Sequence, residues 1–404
     1  MTSKDVARAG MSPGGTHHRL PPLSLYIHTP WCVRKCPYCD FNSHESGRGT
    51  LPESAYLQAL VKDLDDELVL ADGRELRAIF IGGGTPSLLS PAFYQTLLAE
   101  IRKRLGFAPE IEITMEANPG TTEQQRFNGY REAGINRLSL GVQSFQNTQL
   151  AALGRIHGGD EAVKAVAQAR AAGFDNLNID IMHGLPGQTS ALALDDLEQA
   201  LELSPEHISW YQLTLEPNTE FHVRPPALPE EDTLWDIQDL GHERLERAGF
   251  SRYEISAYAQ RGHQSRHNLN YWRFGDYLGI GAGAHGKLSR IDEHGQWMIE
   301  RRWKTRQPEA YLQRLQDMRG FIAGKREVTA DELPLEFCMN ALRLTGGVDA
   351  GLWQAHTGQP RAVLQAQLQS AVNKGLLQET REILQPTPQG LLFLNELLAD
   401  ISNV

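Results

Sequence analysis

The chain has few cysteines, no long apolar run and more acidic than basic residues. Four cysteines in 404 residues are too few for a scaffold built on disulfides. No segment approaches the ~18 consecutive apolar residues of a membrane-spanning helix, and the polar N-terminal segment lacks the apolar core of a secretory signal. The net charge of -11 repels a phosphate backbone. These features predict a cytoplasmic protein with no transmembrane segment and no nucleic-acid partner.

Three of the four cysteines are clustered in one short stretch. Cys32, Cys36 and Cys39 have the spacing C-x3-C-x2-C. Three clustered thiols cannot all pair as disulfides, and such a group binds a metal or a metal cluster. At this spacing one loop can wrap a cubane of iron and sulfide, leaving the fourth iron without a protein ligand. A structural zinc, with His28 or His44 as its fourth ligand, is the alternative.

From residue 23 onward, short apolar segments alternate with longer amphipathic ones. Segments of the first kind predict strands, and segments of the second kind predict helices. Six β-then-α units of this kind predict an α/β fold with parallel strands and crossover helices, closing into part of a barrel. The predicted strands are residues 23–28, 77–81, 112–117, 137–142, 176–182 and 207–214.

Unusual residues follow each predicted strand. In chain order these are the cysteine loop, Gly82 to Ser87, Glu116 to Gly120, Gln143 to Phe145, Asp180 with His183 to Gly187, and Glu216 to Asn218. In β/α barrels the carboxyl-terminal rim of the strands is where active sites are built. The sequence therefore predicts one functional site at this rim.

The residue types at this rim suit one ligand. An iron with an open position can chelate the amine and carboxylate of S-adenosylmethionine (SAM), and the cluster can supply the electron that breaks its sulfonium bond. Glu116 and Gln143 can hydrogen-bond ribose hydroxyls, and Arg155 can pair with a carboxylate. Each of these residues also has a structural interpretation, such as a surface charge for Arg155, but their convergence favours a functional one.

The motifs together resemble the radical SAM superfamily. They are CVRKCPYC, IGGGTPS, ITMEANPG, LSLGVQSF, LGRIH, DIMHGLPGQ, WYQLTLEPNT and HNLNYW. The similarity is to the branch that contains oxygen-independent coproporphyrinogen III oxidases and heme chaperones. It implies a partial (β/α)6 barrel and a [4Fe-4S] cluster on Cys32, Cys36 and Cys39. It also implies SAM contacts from Tyr26, Tyr38, Gly84, Thr85, Glu116, Gln143, Arg155 and Asp180.

One position separates the two kinds of protein in that branch. The oxidases continue their motif as C-x3-C-x2-C-x-C, whereas this chain has Phe41 in place of the last cysteine. The resemblance therefore favours a heme chaperone that passes heme to an acceptor protein. A porphyrinogen oxidase and a zinc-stabilised interaction protein stay open as alternatives, as do homodimer formation and peripheral contact with a membrane.

The stretch His267 to Trp272 reads HNLNYW, a motif that the resemblance connects with heme binding. His267 offers an imidazole for iron, and Tyr271 and Trp272 offer flat faces for a macrocycle. We predict His267 as a heme ligand. The alternatives are that His267 is hydrogen-bonded within the fold and that His285, in GAGAHG, is the ligand instead.

From about residue 330 the chain reads as helices followed by a two-stranded wing, and its acidic residues outnumber its basic ones. This predicts a mainly helical, winged-helix-like domain that packs on the barrel or meets a protein partner. The predicted divisions are a flexible tail over 1–21, the partial barrel over 22–220, a barrel extension over 221–325 and the C-terminal domain over 326–404.

Overall fold

A computed structural model describes residues 20–47, 49–120, 125–380 and 382–402. The predicted tail over 1–21 lies almost wholly outside the described residues. The strands in chain order are β1 (Leu23–Thr29), β2 (Trp31–Cys32), β3 (His44–Glu45), β4 (Leu76–Gly83), β5 (Phe107–Ala117), β6 (Arg137–Gln143), β7 (Leu177–His183), β8 (His207–Gln212), β9 (Ser251–Arg252), β10 (Ala257–Ala259), β11 (Asp276–Ile280), β12 (His285–Ile291), β13 (Trp297–Lys304), β14 (Ile322–Glu327), β15 (Val348–Asp349), β16 (Leu377–Glu379) and β17 (Ile383–Pro386).

The helices are α1 (Glu53–Ala71), α2 (Pro91–Arg104), α3 (Phe127–Glu132), α4 (Asn147–Ala152), α5 (Gly159–Ala171), α6 (Ser190–Glu202), α7 (Glu220–Val223), α8 (Glu231–Arg247), α9 (Arg266–Trp272), α10 (Pro308–Gln313), α11 (Leu333–Ala341), α12 (Leu352–Thr357), α13 (Arg361–Asn373), α14 (Pro388–Leu392) and α15 (Leu394–Ser402), with 3-10 turns at Pro86–Leu88 and Arg314–Gln316. Across the described ranges, none of these helices combines the length and the apolar character needed to cross a bilayer.

One twelve-stranded sheet forms the centre of the molecule, in the order β14-β13-β12-β11-β1-β4-β5-β6-β7-β8-β10-β9. The six predicted strands are its β1 and β4 to β8, and each pairs in parallel with the next. Helices connect these strands in sequence, as parallel pairing requires. The predicted α/β class and the partial barrel are therefore confirmed.

The parallel strands are buried on both faces, which explains their near-continuous apolar sequences. Leu25 and Ile27 of β1 and Ile79 and Ile81 of β4 all belong to the main core. Helix α2 shows how the local sequence sets the connections, because Ser90 caps it by accepting a hydrogen bond from the Phe93 amide and Pro91 opens the first turn.

The sheet extends beyond β1 in a way that the sequence pattern did not predict. Strand β11 pairs in parallel with β1 on the side away from β4, and β12, β13 and β14 follow as antiparallel strands. The glycine-rich sequence of this region resembles a loop, but glycine serves the packing: a Cβ on Gly279 would lie 2.0 Å from the His285 carbonyl oxygen. Two short strands, β9 and β10, complete the sheet at the opposite edge.

The C-terminal part packs with residues of the main sheet in a second core, in which Phe337 and Trp353 are fully buried. Strands β16 and β17 form the predicted antiparallel wing, joined by β15. Helix α11 is fixed to the main sheet because Arg301 of β13 donates to Glu336 at 2.6 Å. The helical, winged C-terminal region is thus confirmed, whereas the domain boundaries at 220 and 325 stay predictions.

Candidate functional site

The cysteine loop leaves β1 and returns to pair β2 with β3, beside the end of β4. Within it, the Cys39 amide donates to the Cys36 carbonyl oxygen at 3.1 Å. The Thr85 hydroxyl donates to Cys32 Sγ at 3.5 Å, and Arg155 Nη1 lies 3.8 Å from Cys36 Sγ. The three half-buried thiols therefore face the glycine run at the end of β4 and the segment after β6.

Glycine is required where β4 meets this loop. Gly83 has a φ of +113°, and a Cβ on it would lie 2.5 Å from the His28 ring. A Cβ on Gly84 would lie 2.5 Å from the Trp31 carbonyl oxygen, while its amide donates to the Thr29 carbonyl oxygen at 2.6 Å. The glycine run thus lets the cysteine loop dock directly on the strand.

A cavity of about 290 Å³ opens at this place, which we call the cluster cavity. Every predicted site residue except Tyr26 and His267 lines it, namely Cys32, Cys36, Cys39, Tyr38, Gly84, Thr85, Glu116, Gln143, Arg155 and Asp180. The parallel strands bring these residues together from five separate strand ends. Their contacts with a ligand stay predictions.

Arg155 is held at the cavity wall by two hydrogen bonds, and a third supports its partner Asn118. Its Nη2 donates to the Gly141 carbonyl oxygen at 2.6 Å and to Asn118 Oδ1 at 2.7 Å, and Asn118 Nδ2 donates to Thr85 Oγ1 at 3.1 Å. The guanidinium is therefore positioned beside Cys36 rather than exposed as a surface charge. These hydrogen bonds connect the glycine run after β4, the segment after β5 and the cysteine loop in one network.

Gln143 reaches the cavity through a backbone irregularity. The pairing of β6 with β7 shifts register between Gly141 and Gln143, and Gln143 has a φ of +71°. A bulge of this kind re-aims a side chain, and a left-handed glutamine is strained enough to occur mainly at functional positions. The Tyr211 hydroxyl fixes the result by donating to Gln143 Oε1 at 2.6 Å.

Sequence reasoning missed three further residues of this cavity wall, Ser139, Ser209 and Tyr211. A signal existed for two of them. Ser139 is aligned with Glu116 on the neighbouring strand, and Ser209 is aligned with Asp180, so each pair shares one level of the sheet. Asn118, also in the wall, lies in the segment Glu116 to Gly120 that the sequence already placed at the rim.

The two acids of the cavity are close enough to affect each other. Burial, and secondarily the charge of Asp180, raise the pKa of Glu116 to about 8, although the Gly83 amide donates to its Oε2 at 3.1 Å. Burial also raises the pKa of Asp180, against the hydrogen bonds from Ser139 at 2.7 Å and from Asn178. Near neutral pH Glu116 is thus largely protonated, and it can donate as well as accept.

The thiols are tuned by burial as well. Burial raises the pKa of Cys32 and of Cys39, against the hydrogen bonds from Thr85 and Ser43 respectively. Uptake of iron must therefore displace protons. Within the described ranges, no set of three or more His, Cys, Asp and Glu side chains is gathered closely enough to hold one metal ion. The three cysteines instead line part of the cluster cavity.

A second cavity, of about 340 Å³, adjoins the first, and we call it the aromatic cavity. Phe41, Gly83 and Glu116 line both cavities. Its remaining walls are Tyr26, Phe80, Tyr271, Trp272, Tyr277, His285 and Asn340. This cavity lies between the main sheet and helix α11, and aromatic rings form most of its surface.

Tyr26 and His267 lie outside the walls of the cluster cavity. Tyr26 belongs to the aromatic cavity, and its hydroxyl lies 2.7 Å from His28 Nδ1. His267 is only 4% exposed, its ring stacks on Phe80 at 4.2 Å, and its Nδ1 lies 3.2 Å from Glu112 Oε1. SAM contact by Tyr26 and iron ligation by His267 stay predictions.

Comparison with known proteins assigns the family. The model of the radical SAM superfamily matches residues 26–203, and that of the HemN C-terminal domain matches residues 328–393. The chain is 52% identical to the heme chaperone HemW of Escherichia coli over 94% of this chain and 98% of that protein. It is 50% identical to the HemW of Haemophilus influenzae over the same shares. The chain belongs to the HemW family of radical SAM proteins.

The solved structure of the E. coli coproporphyrinogen III oxidase HemN, a radical SAM enzyme, has the same fold. It superposes with a TM-score of 0.78 over 95% of this chain and 90% of that one, at 23% identity. Membership of the HemW family within the radical SAM superfamily implies a [4Fe-4S] cluster and SAM. The cluster cavity fits them, because it offers three thiols and no other sulfur ligand among its described walls, beside a glycine-rich strand end with polar groups.

Proposed function

We propose that this chain is a cytoplasmic heme chaperone. In this proposal the cluster cavity holds a [4Fe-4S] cluster on Cys32, Cys36 and Cys39 together with SAM, and the aromatic cavity holds heme until an acceptor protein takes it. The cluster, when bound, supplies an iron site for the amine and carboxylate of SAM and a store for one electron. Cys32, Cys36 and Cys39 form no disulfide in the described part of the chain, as suits a reducing compartment.

The observation that carries the proposal is that the aromatic cavity directly adjoins the cluster cavity. A heme macrocycle is flat and apolar, and the rings of Tyr26, Phe80, Tyr271 and Tyr277 offer it faces and edges. A volume of about 340 Å³ lies in the ~300–1,000 Å³ range of ligand sites. Because Tyr271 and Trp272 are wall residues, the HNLNYW stretch contributes to this cavity through its aromatic members.

Phe41 supports a chaperone over a porphyrinogen oxidase. It stands where the oxidases have a further cysteine, and the residue, 58% exposed, lines both cavities. An apolar ring at this boundary extends the aromatic surface toward the cluster, whereas a thiol would bring a polar, reactive group to it. The identity of HemW proteins as heme chaperones agrees with this interpretation.

Filling the aromatic cavity tests the proposal. Asn340 is half-buried on α11 and faces this cavity. In Asn340→Trp the indole takes space that heme needs, and we expect at least a tenfold loss of heme affinity, which is ~1.4 kcal/mol. The measurement is a titration of anaerobically reconstituted protein with heme, followed at the Soret band, with iron and sulfide assayed in parallel.

Met318→Trp is the matched control, since it introduces the same side chain at a fully exposed position on the turn before β14. It is expected to bind heme like the parent protein. Equal affinity in both variants would contradict heme binding in the aromatic cavity. Release of CO2 from coproporphyrinogen III by the reconstituted parent protein, under reducing anaerobic conditions, would instead support the oxidase alternative.

A further inference from the structure

Resting on the proposed function and deepening it, we propose that His207 and Tyr253 are positioning residues for SAM, because they hold Asp180 in place through Asn178. Asp180 of β7 lines the cluster cavity, and Asn178 lies two residues earlier on the same face of that strand. His207 begins β8 and is paired with Asn178, and Tyr253 follows β9. The four side chains form one hydrogen-bonded chain that leads from the cavity into the interior of the protein.

The direction of each hydrogen bond in this chain is fixed by its neighbours. Asn178 Nδ2 donates to Asp180 Oδ1 at 2.7 Å, so the amide oxygen of Asn178 is left to accept. It accepts from His207 Nδ1 at 2.5 Å. Burial, and secondarily the charge of Arg137, hold the pKa of His207 well below its ordinary value, so the neutral ring carries one proton. His207 Nε2 therefore accepts from the Tyr253 hydroxyl, at 2.9 Å, and each donor points toward Asp180.

The chain is shielded from water, because Asn178, His207 and Tyr253 are all buried. A hydrogen bond lost here is not replaced by one to solvent, and a buried polar group without a partner is costly. His207 satisfies both ring nitrogens in the observed orientation, with one facing Asn178 and the other facing Tyr253. Loss of the Tyr253 hydroxyl therefore releases the imidazole, and with it the orientation of the Asn178 amide.

Two serines complete the support of Asp180. The Ser139 hydroxyl donates to Asp180 Oδ2 at 2.7 Å and accepts from Asn178 Nδ2 at 2.7 Å. The Ser209 hydroxyl donates to Asn178 Oδ1 at 3.1 Å. Burial raises the pKa of Asp180, and the hydrogen bonds around it oppose that rise. The chain thus favours a carboxylate with a fixed orientation, ready to accept hydrogen bonds from a bound ribose or ammonium.

The position of Tyr253 does not depend on its hydroxyl. The Tyr253 amide donates to the Ala257 carbonyl oxygen at 3.1 Å, and its carbonyl oxygen accepts from the Thr345 amide at 3.2 Å. The ring belongs to the second core. Tyr253→Phe removes the last donor of the chain while the backbone and the ring keep these contacts. We expect this variant to bind SAM about threefold to tenfold more weakly, as loss of one buried hydrogen bond implies.

Equilibrium dialysis with SAM tests the proposal on protein that carries its reconstituted, unreduced cluster. The parent protein is compared with Tyr253→Phe and with the control Tyr258→Phe. Tyr258 is also buried, but it pairs with Ile208, the neighbour of His207, so its ring lies on the opposite face of the sheet. We expect Tyr258→Phe to bind SAM like the parent protein. Both variants should keep the iron, the sulfide and the circular dichroism of the parent protein.

Asn178→Ala separates positioning from a general loss of structure. If Tyr253 acts through Asn178, the path is already broken in Asn178→Ala, and adding Tyr253→Phe should change the SAM affinity by less than about twofold. Independent structural effects would multiply instead. Should Asn178→Ala not fold, the comparison of Tyr253→Phe with Tyr258→Phe decides alone.

The results that would overturn the proposal are distinct from a failure of the proposed function. Equal SAM affinity in Tyr253→Phe and the parent protein, equal losses in Tyr253→Phe and Tyr258→Phe, or multiplied losses in the double variant would overturn the positioning role, while SAM binding stands. If the cluster-loaded parent protein binds no SAM, the proposed function fails together with the positioning role.

Discussion

Replacement of Cys36 by serine is expected to leave the anaerobically reconstituted protein without its four-iron cluster. The three thiols around the cluster cavity are the sulfur ligands in reach, since the remaining cysteine, Cys338, is fully buried in the core of the C-terminal part. The cubane needs all three thiolates as ligands, so Cys32 and Cys39 alone cannot hold it. Iron and acid-labile sulfide per chain, with the visible absorbance of the cluster, measure the loss, and SAM binding should fall with them.

Cys338→Ala is the matched control. It removes a thiol elsewhere and is expected to keep the iron and sulfide content of the parent protein, with some loss of stability from the small cavity created. Full iron and sulfide in Cys36→Ser would contradict the cluster assignment. If the parent protein contains zinc and no sulfide, the result would instead support a structural zinc site.

Lys304→Met is expected to cost about 3–5 kcal/mol of stability, because it leaves buried charge without its partner. Lys304 is 1% exposed, and its Nζ donates to Asp63 and to Glu67 of α1, both at 2.5 Å. Asp63 also accepts from the Tyr311 hydroxyl and from the Gly281 amide, so the pair joins α1 to the turn that precedes His285. Removing the ammonium leaves two buried carboxylates without their shared partner.

The pH dependence of this loss follows from Asp63. Burial raises the pKa of Asp63, and Lys304 opposes that shift. Without Lys304 the folded state holds the proton to a higher pH than the unfolded state does, so stability is retained at low pH and lost as the pH rises. The deficit of Lys304→Met should therefore grow as the pH rises above the ordinary pKa range of a carboxyl group.

The measurement is the free energy of unfolding in urea, compared between the parent protein and Lys304→Met from acidic to mildly alkaline pH. Lys325→Met is the control: it removes a lysine from the adjacent strand β14 that is 60% exposed and 3.5 Å from Glu300. An exposed pair of this kind contributes about 0–1 kcal/mol. A loss in Lys304→Met no larger than in Lys325→Met would contradict the structural role given to the buried cluster.

The central sheet and the rim were predictable because local physics decides them. Runs of apolar residues long enough for one buried strand, separated by amphipathic helices, leave few alternatives to parallel β/α units. The observed carboxyl ends of the six predicted strands lie within two residues of the expected ones. Because active sites of β/α folds lie at those ends, the predicted strands also indicated where the cluster cavity lies.

What was not predictable depends on partners far apart in sequence. Strand β11 pairs with β1 across about 250 intervening residues, and no local pattern marks that pairing. The HNLNYW stretch indicates an aromatic site, but which of its members faces the cavity is decided by Glu112 and Phe80, which hold His267 inside. The aromatic cavity, with Tyr26 and His285 in its wall, exists only once β11 and β12 are placed beside β1.

The account depends most on two adjoining cavities, one for the cluster with SAM and one for heme. Iron-edge anomalous diffraction from anaerobic crystals of the chain, loaded with both groups, tests it most directly. The predicted map has one iron feature bounded by Cys32, Cys36 and Cys39, and a separate single-iron peak within the aromatic cavity. A heme iron on another face of the molecule, or no iron at the three cysteines, would contradict it.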